Sequence, residues 1–221
     1  MNRKPGLIAS ALSIAFIGAV TLWAWPQIPD GRQLVIHWDA VGNPNGYASK
    51  GWALLVLPAL ALGIAALLAI IPQIEPRRTN LAQSAKAYLA AWIGILVVLA
   101  AQLLIVLAAV GHPANIVTIA SLLVGGLLAV IGNYLGKARS NFFFGIRTPW
   151  TLSSDLSWDK THRLGGRVFV ATGAAMIIAG LTRSGTVFAV VLVVLLALIA
   201  MVTVYSYFVW RGDPLKHPVG R

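Results

Sequence analysis

Thr186-Val-Phe-Ala-Val-Val-Leu-Val-Val-Leu-Leu-Ala-Leu-Ile-Ala-Met-Val-Thr-Val-Tyr-Ser-Tyr-Phe208 carries no charged side chain. A helix rising 1.5 Å per residue needs about 20 apolar residues to cross the hydrocarbon core of a bilayer, and this stretch is long enough. Working outward from it, comparable runs occupy 7–25, 52–71, 88–110 and 116–135, with a shorter one at 168–182. The whole chain is 58% hydrophobic and only 10% charged, whereas a soluble domain needs about a quarter charged residues to cover its surface. The expected architecture is an all-α, polytopic membrane helix bundle of about six transmembrane helices. The first run follows Arg3 and Lys4 as a signal peptide would. It outlasts a typical apolar signal region, however, and no small-x-small cleavage site precedes Trp23, Trp25 and Pro26, so it reads as a retained span. Cysteine is absent, which removes disulfides, thiolate metal sites and cysteine nucleophiles.

Charge placement gives the orientation. With the N-terminus inside, all of the 17 Lys and Arg residues fall on the inner side except Arg32, Lys50 and Arg183. That bias satisfies the positive-inside rule and places both termini in the cytoplasm. A formal charge of +11 therefore reads as membrane topology, with membrane lipids as partners and no direct nucleic-acid contact.

Two polar connections are long enough to act. The outer loop, 26–51, begins with Pro26, Pro29, Asp30 and Gly31, which enforce a turn. Gln33 to Trp38 is β-prone, and Asn43-Pro44-Asn45-Gly46 is a turn signature. The expectation is a small ordered extracytoplasmic cap, a hairpin in outline, built around His37, Trp38, Asp39, Gly42, Gly46 and Lys50. His37 and Asp39 face the same way on a strand and suit a metal pair or an acid–base pair in type. Two ligands fall short of the four of a structural zinc site. The preferred reading has them hydrogen-bonding within the cap while Trp38 dips into the interface; no metal or cofactor is assigned.

The inner loop, 136–167, contains Gly145-Ile-Arg-Thr-Pro-Trp-Thr-Leu-Ser153 and Trp158-Asp-Lys-Thr-His-Arg-Leu-Gly-Gly166. Thr148-Pro149 halts a helix. Ser153 is expected to cap a new helix starting near Ser154, with Asp155 in its first turn, and Gly165-Gly166 to end it. Too short and polar to span, this helix is expected to lie at the cytoplasmic interface. Lys137, Arg139, Arg147, Lys160, Arg163 and Arg167 suit anionic lipid. The sharper expectation is a partner surface made of Asn141, Gly145, Arg147, Thr148, Pro149, Trp150, Trp158, Lys160, His162 and Arg163, because Trp and Arg supply binding anchors out of proportion to their number.

These quoted stretches closely resemble the SdpI immunity-protein family of bacteria. The outer loop, with Ile36-His-Trp-Asp39, Gly42-Asn-Pro-Asn-Gly-Tyr47 and Ser49-Lys50, is similar to the uncharacterised N-terminal domain often found ahead of it. The resemblance divides the chain into a two-helix unit, 1–72, and an SdpI-like four-helix unit, 73–221. It implies an integral protein of the bacterial cytoplasmic (inner) membrane that gives resistance to a membrane-active peptide toxin arriving from outside. It further implies a receptor role in which a cytoplasmic repressor is drawn to the membrane.

Two other classes fit less well. A small-molecule or lipid transporter, or an envelope-homeostasis protein, is the alternative, but the spans hold almost no ionisable residue for an ion or proton pathway; Gln102 and Asn133 read as interhelical hydrogen-bonding groups. An enzyme is not expected, since no nucleophile–base set, paired carboxylates or HExxH occurs. Gly132-x-x-x-Gly136 suits close packing within the bundle or a dimer face.

Overall fold

A computed structural model describes residues 4–217 of the chain; Arg3 and Arg221, both used in the charge count, lie outside them. In chain order the elements are α1 (Lys4–Ala24), a 3₁₀ turn (Trp25–Gln27), β1 (Gln33–Trp38), β2 (Pro44–Ser49), α2 (Lys50–Ile74), α3 (Arg78–Gln83), α4 (Ala85–Ala91), α5 (Ile93–Ala109), α6 (Ile116–Leu135), α7 (Pro149–Leu152), α8 (Asp155–Thr182) and α9 (Gly185–Arg211). Among the described residues, six helical stretches are long and apolar enough to cross a bilayer: Lys4–Gln27, Lys50–Ile74, Ala85–Ala109, Ile116–Leu135, Asp155–Thr182 and Gly185–Arg211. This is a multi-pass membrane protein. Its outward faces carry Leu12, Phe16, Leu22, Leu181 and Val193, all exposed to what would be lipid.

Polar structure is confined to the two ends of the bundle. One end holds the β1–β2 hairpin and the α5–α6 and α8–α9 turns; there Gly42 lies against Val117, and Gly185 against Val41. The other end gathers 75–84, 136–154 and the tail after α9, and carries most of the cations. We call these the cap end and the basic end. Between them α1, α2 and α5 pack around Ile17, Ala61, Tyr88 and Ile95, and nearer the cap around Ala24, Leu34, Leu54 and Val106.

The tightest pairing joins α6 to α8. Lipid tails are as apolar as leucine, so helices in a bilayer gain little from hydrophobic burial against one another and rely on close packing. Here Gly125 faces Gly173, Gly132 faces Gly166, and Gly180 lies against Ser121 and the Thr118 carbonyl. A Cβ added to Gly132 would lie 2.6 Å from the Gly166 carbonyl oxygen, and one on Gly125 would lie 2.7 Å from that of Gly173. Thr118 adds a hydroxyl bond to the Gly180 carbonyl at 3.0 Å. Gly132 of the Gly132-x-x-x-Gly136 pair is thus spent on packing inside one chain.

This seam corrects two expectations. The helix from Asp155 does not end at Gly165-Gly166; it runs unbroken to Thr182. The segment expected as a separate helix is instead the first half of α8, continuous with the fifth span. The two glycines allow backbone contact with α6, Gly165 lying under Ile146 and Leu135. The cap also shifts by one residue: the Ser154 side chain accepts from Ser157 N–H, with Asp155 next in the first turn.

Widening the seam is costly. Gly132→Val or Gly125→Val is expected to lower stability by about 1–3 kcal/mol through overpacking, read as a reduced unfolding midpoint in detergent. Gly126→Val, with open space around its Cα, should stay within about 0.5 kcal/mol of the parent.

Candidate functional site

The motif at 145–166 forms a lock between the inner loop and α8. Trp158 and His162 are one turn apart and stack at 3.9 Å. Both are buried. The Trp158 indole N–H donates to the Ala138 carbonyl at 2.7 Å. His162 Nε2 accepts from Ile146 N–H at 2.9 Å, so its proton sits on Nδ1, 2.8 Å from the Trp158 carbonyl. Gly145, at φ 110°, passes so close that a Cβ would lie 2.4 Å from His162 Nε2. No other residue type fits both the backbone angle and the space.

The rest of the loop is built in the same way. Buried Asn141 folds the chain by accepting from Phe143 and Phe144 N–H, each at 2.9 Å. Thr148 and Thr151 form a reciprocal capping box around Pro149 at the first helical position of α7, so Pro149 starts a helical turn as well as halting what precedes it. The Trp150 indole donates to Ser206 Oγ, and its ring meets Tyr207 edge-on. Ser153 bonds back to the Pro149 carbonyl at 2.8 Å. Of the predicted partner surface, Asn141, Trp158 and His162 point inward and Trp150 is half-buried, while Gly145, Arg147, Pro149, Lys160 and Arg163 are exposed. Arg163 makes a loose surface pair with Asp159 at 3.5 Å.

Sequence reasoning missed the residues that tie this loop to the first half of the chain. Glu75 is fully buried, and its carboxylate accepts from Arg77 N–H at 2.8 Å and Phe142 N–H at 3.0 Å. Arg77 lies over the Phe142 ring and donates to Ser140 Oγ and the Leu152 carbonyl. Asn80 donates to the Ser140 carbonyl at 2.9 Å, and Ser84 Oγ accepts from Arg139 N–H at 2.8 Å. The available signal was Glu75-Pro76-Arg77-Arg78, one of only six acids in the chain, placed where the charge pattern wants cations. The tail closes the same end: Ser154 Oγ donates to Asp213 at 2.5 Å, and His217 N–H to the Ser153 carbonyl at 2.9 Å.

At the cap end, β1 and β2 pair antiparallel with a register shift at His37. His37 and Asp39 serve separate local purposes. His37 Nδ1 meets Asn45 Oδ1 at 2.6 Å. Asp39 closes the hairpin turn, accepting from Asn43 N–H at 2.8 Å and Val41 N–H at 3.0 Å; the Asn43 contact holds its carboxyl below the usual range. Gly46 sits tight against His37 Cβ, and Gly42 takes a positive φ over Val117. Lys50 is nearly buried, 2.9 Å from Asp30 and stacked over Trp25; Arg32 ties the cap to the end of α5 through the Ala109 carbonyl at 2.9 Å. Trp38 packs into the apolar cluster beneath. Under the hairpin edge a cavity of about 510 Å³ opens between α2 and α5 on one side and α6 and α9 on the other. Ile36 to Ala40 form its rim, and Leu57, Val97, Ala120, Val124 and Phe188 are among its apolar walls.

Two outcomes test the basic end. His162→Ala strips Ile146 N–H of its acceptor and Trp158 of its stacking partner, and should cost about 1–3 kcal/mol of unfolding free energy in detergent. The tail tether depends on an ionised Asp213, whose carboxyl the Ser154 hydroxyl holds below the usual range, helped by Leu215 N–H. Its contribution is complete above the ordinary Asp value of about 3.9 and is lost as pH falls through the lower folded value. The chain has no cysteine, so a spin label on Leu215→Cys, an exposed position, reads the tail directly. It should stay immobilised at pH 5–7 and be released only below about pH 4, whereas Asp213→Asn should free it throughout.

Comparison with known proteins follows the same division. Residues 137–206 match the SdpI/YfhL protein family, and residues 12–62 match a domain of unknown function, DUF1648. The first match contains the lock, and the second contains the hairpin. The immunity protein SdpI of Bacillus subtilis (strain 168) is 28% identical over 198 residues, covering 90% of this chain and 91% of that protein. No solved structure matches. The chain thus carries the lock within an SdpI/YfhL match and the hairpin within a DUF1648 match, and it is similar to an immunity protein over nearly its whole length.

Proposed function

We propose that this protein sits in the bacterial cytoplasmic membrane with both termini inside and protects that membrane from a membrane-active peptide. The cavity beneath the hairpin carries the proposal. Its size falls within the range of about 300–1,000 Å³ of ligand sites, and its apolar walls under a polar rim suit the side chains of an amphipathic peptide entering from the outer leaflet. Similarity to a protein named for immunity supports the same reading.

Coupling across the membrane has a physical route. The helices flanking the cavity are joined at the opposite end by Glu75 to Phe142, Arg77 to Ser140 and Leu152, and Ser84 to Arg139. A peptide wedged at the cap end favours whichever packing it binds better, and shifts the bundle only by that difference in affinity. A cytoplasmic repressor then docks on the exposed Arg147, Lys160 and Arg163 beside Trp150, a surface that Asn141, Trp158 and His162 keep in shape from within.

The test is gene deletion and re-expression under challenge with a panel of membrane-active peptides. Deletion should sensitise cells to at least one of them, and re-expression should restore resistance. Ala120→Trp, which fills the cavity, should reach the membrane normally yet protect at least tenfold less in inhibitory concentration. Arg147→Ala with Lys160→Ala and Arg163→Ala should keep protection and lose recruitment of the cytoplasmic partner. Unchanged sensitivity after deletion, or full protection by the filled variant, would overturn the peptide reading.

A further inference from the structure

We propose that the groove between the basic ends of α6 and α8 is a binding site for an anionic phospholipid, its phosphate held by Lys137, Arg163 and Arg167. The site follows from the glycine seam. Where Gly132 meets Gly166 the two helices come close enough to leave a shallow cleft of about 490 Å³, with glycines on its floor and Asn133, Lys137, Arg163 and Arg167 on its walls. Successive turns of a helix are about 5.4 Å apart, so Arg163 and Arg167 present two guanidinium groups one turn apart on one side. Lys137 faces them from the end of α6, its amine drawn towards Asn133 Oδ1 at 3.5 Å and lying over the Tyr134 ring.

Three features point to lipid as the occupant. The groove holds no carboxylate; Asp159, the partner of Arg163, lies a turn away and makes only a long, exposed contact. Arg167 has no hydrogen-bond or ion-pair partner among the described residues. Below the cations the walls turn apolar and exposed at Val170 and Ala171, one to two turns deeper along α8. An acyl chain laid there keeps its headgroup level with the basic end. Cations at headgroup depth above an apolar track match a phospholipid better than a soluble anion, and basic pockets between transmembrane helices are a recurrent site of this kind.

The experiment uses the full chain in nanodiscs of phosphatidylcholine doped with phosphatidylglycerol, with retained lipid read by native mass spectrometry after detergent extraction. The parent should retain phosphatidylglycerol over phosphatidylcholine. Lys137→Gln with Arg163→Gln and Arg167→Gln should lower that retention roughly a hundredfold, the scale expected for three cations near a membrane surface. Arg78→Gln with Lys86→Gln and Lys160→Gln removes the same charge elsewhere on the same end and should retain lipid as the parent does. Equal loss in both triple variants would reduce the site to diffuse electrostatics and overturn the proposal. So would equal retention of the two lipids by the parent, or displacement of phosphatidylglycerol by millimolar inorganic phosphate, which would identify a free-anion site.

Discussion

The close approach of α6 and α8 governs the rest of the molecule. In hydrocarbon every backbone polar group must be satisfied within a helix, so the spans themselves carry little information about how they assemble. Assembly is decided by where backbones can touch. Gly125, Gly132, Gly166 and Gly173 supply that contact along one seam, and the seam fixes the end of α6 against the first turns of α8. The connection 136–154 then has little freedom. It starts beside α8 and must return to α8's own N-terminus, so its polar groups find partners on α8: the Ala138 carbonyl takes the Trp158 indole and Ile146 N–H finds His162.

The same constraint explains how the few acids are used. Asp30 faces Lys50, Asp39 closes the hairpin turn, Glu75 receives two backbone N–H groups, Asp155 opens α8, Asp159 faces Arg163 and Asp213 anchors the tail to Ser154. All six acids in the sequence thereby have a local structural role. Most of the cations at the basic end are left uncompensated, and the positive face is therefore a property of the folded surface as well as of the sequence count.

Hydropathy made the spans legible because lipid solvation is a local, additive property of sequence. Segment 116–135 coincides with α6, and 52–71 lies inside α2. The hairpin was legible in outline but not in register: its turn lies at Asp39–Asn43, closed by the Asp39 carboxylate, whereas Pro44 to Gly46, read as the turn, belong to β2. What failed was the start of the helix that carries the fifth span, not the span itself. Asp155 to Arg167 is too polar to read as membrane helix, and Gly165-Gly166 reads as a stop. Tertiary contact removes the stop and joins this polar stretch to the span: Trp158 and His162 are buried by the loop, and the glycines serve contact with α6 rather than ending a helix. Glu75 was invisible for a related reason. Its partners are backbone N–H groups of Arg77 and Phe142, and no side-chain pattern announces a backbone donor sixty-odd residues away.

The resemblance motif and the chemistry of recognition therefore separate within one loop. Gly145, Asn141, Thr148, Trp158 and His162 each satisfy an internal demand of angle, space or hydrogen bonding. Lys160 and Arg163 make no bond to the interior, and Arg147, which donates to the Phe142 carbonyl at the surface of the loop, stands exposed beside them on the frame the others build. The cap divides likewise: Asp39, Gly42 and Lys50 hold the hairpin, while the cavity walls at Val97, Ala120 and Val124 come from spans that no motif marks. A motif of this kind transmits a scaffold. Which peptide, lipid or partner the scaffold meets depends on the side chains it leaves facing outward, and those obey no packing rule that a neighbouring residue enforces.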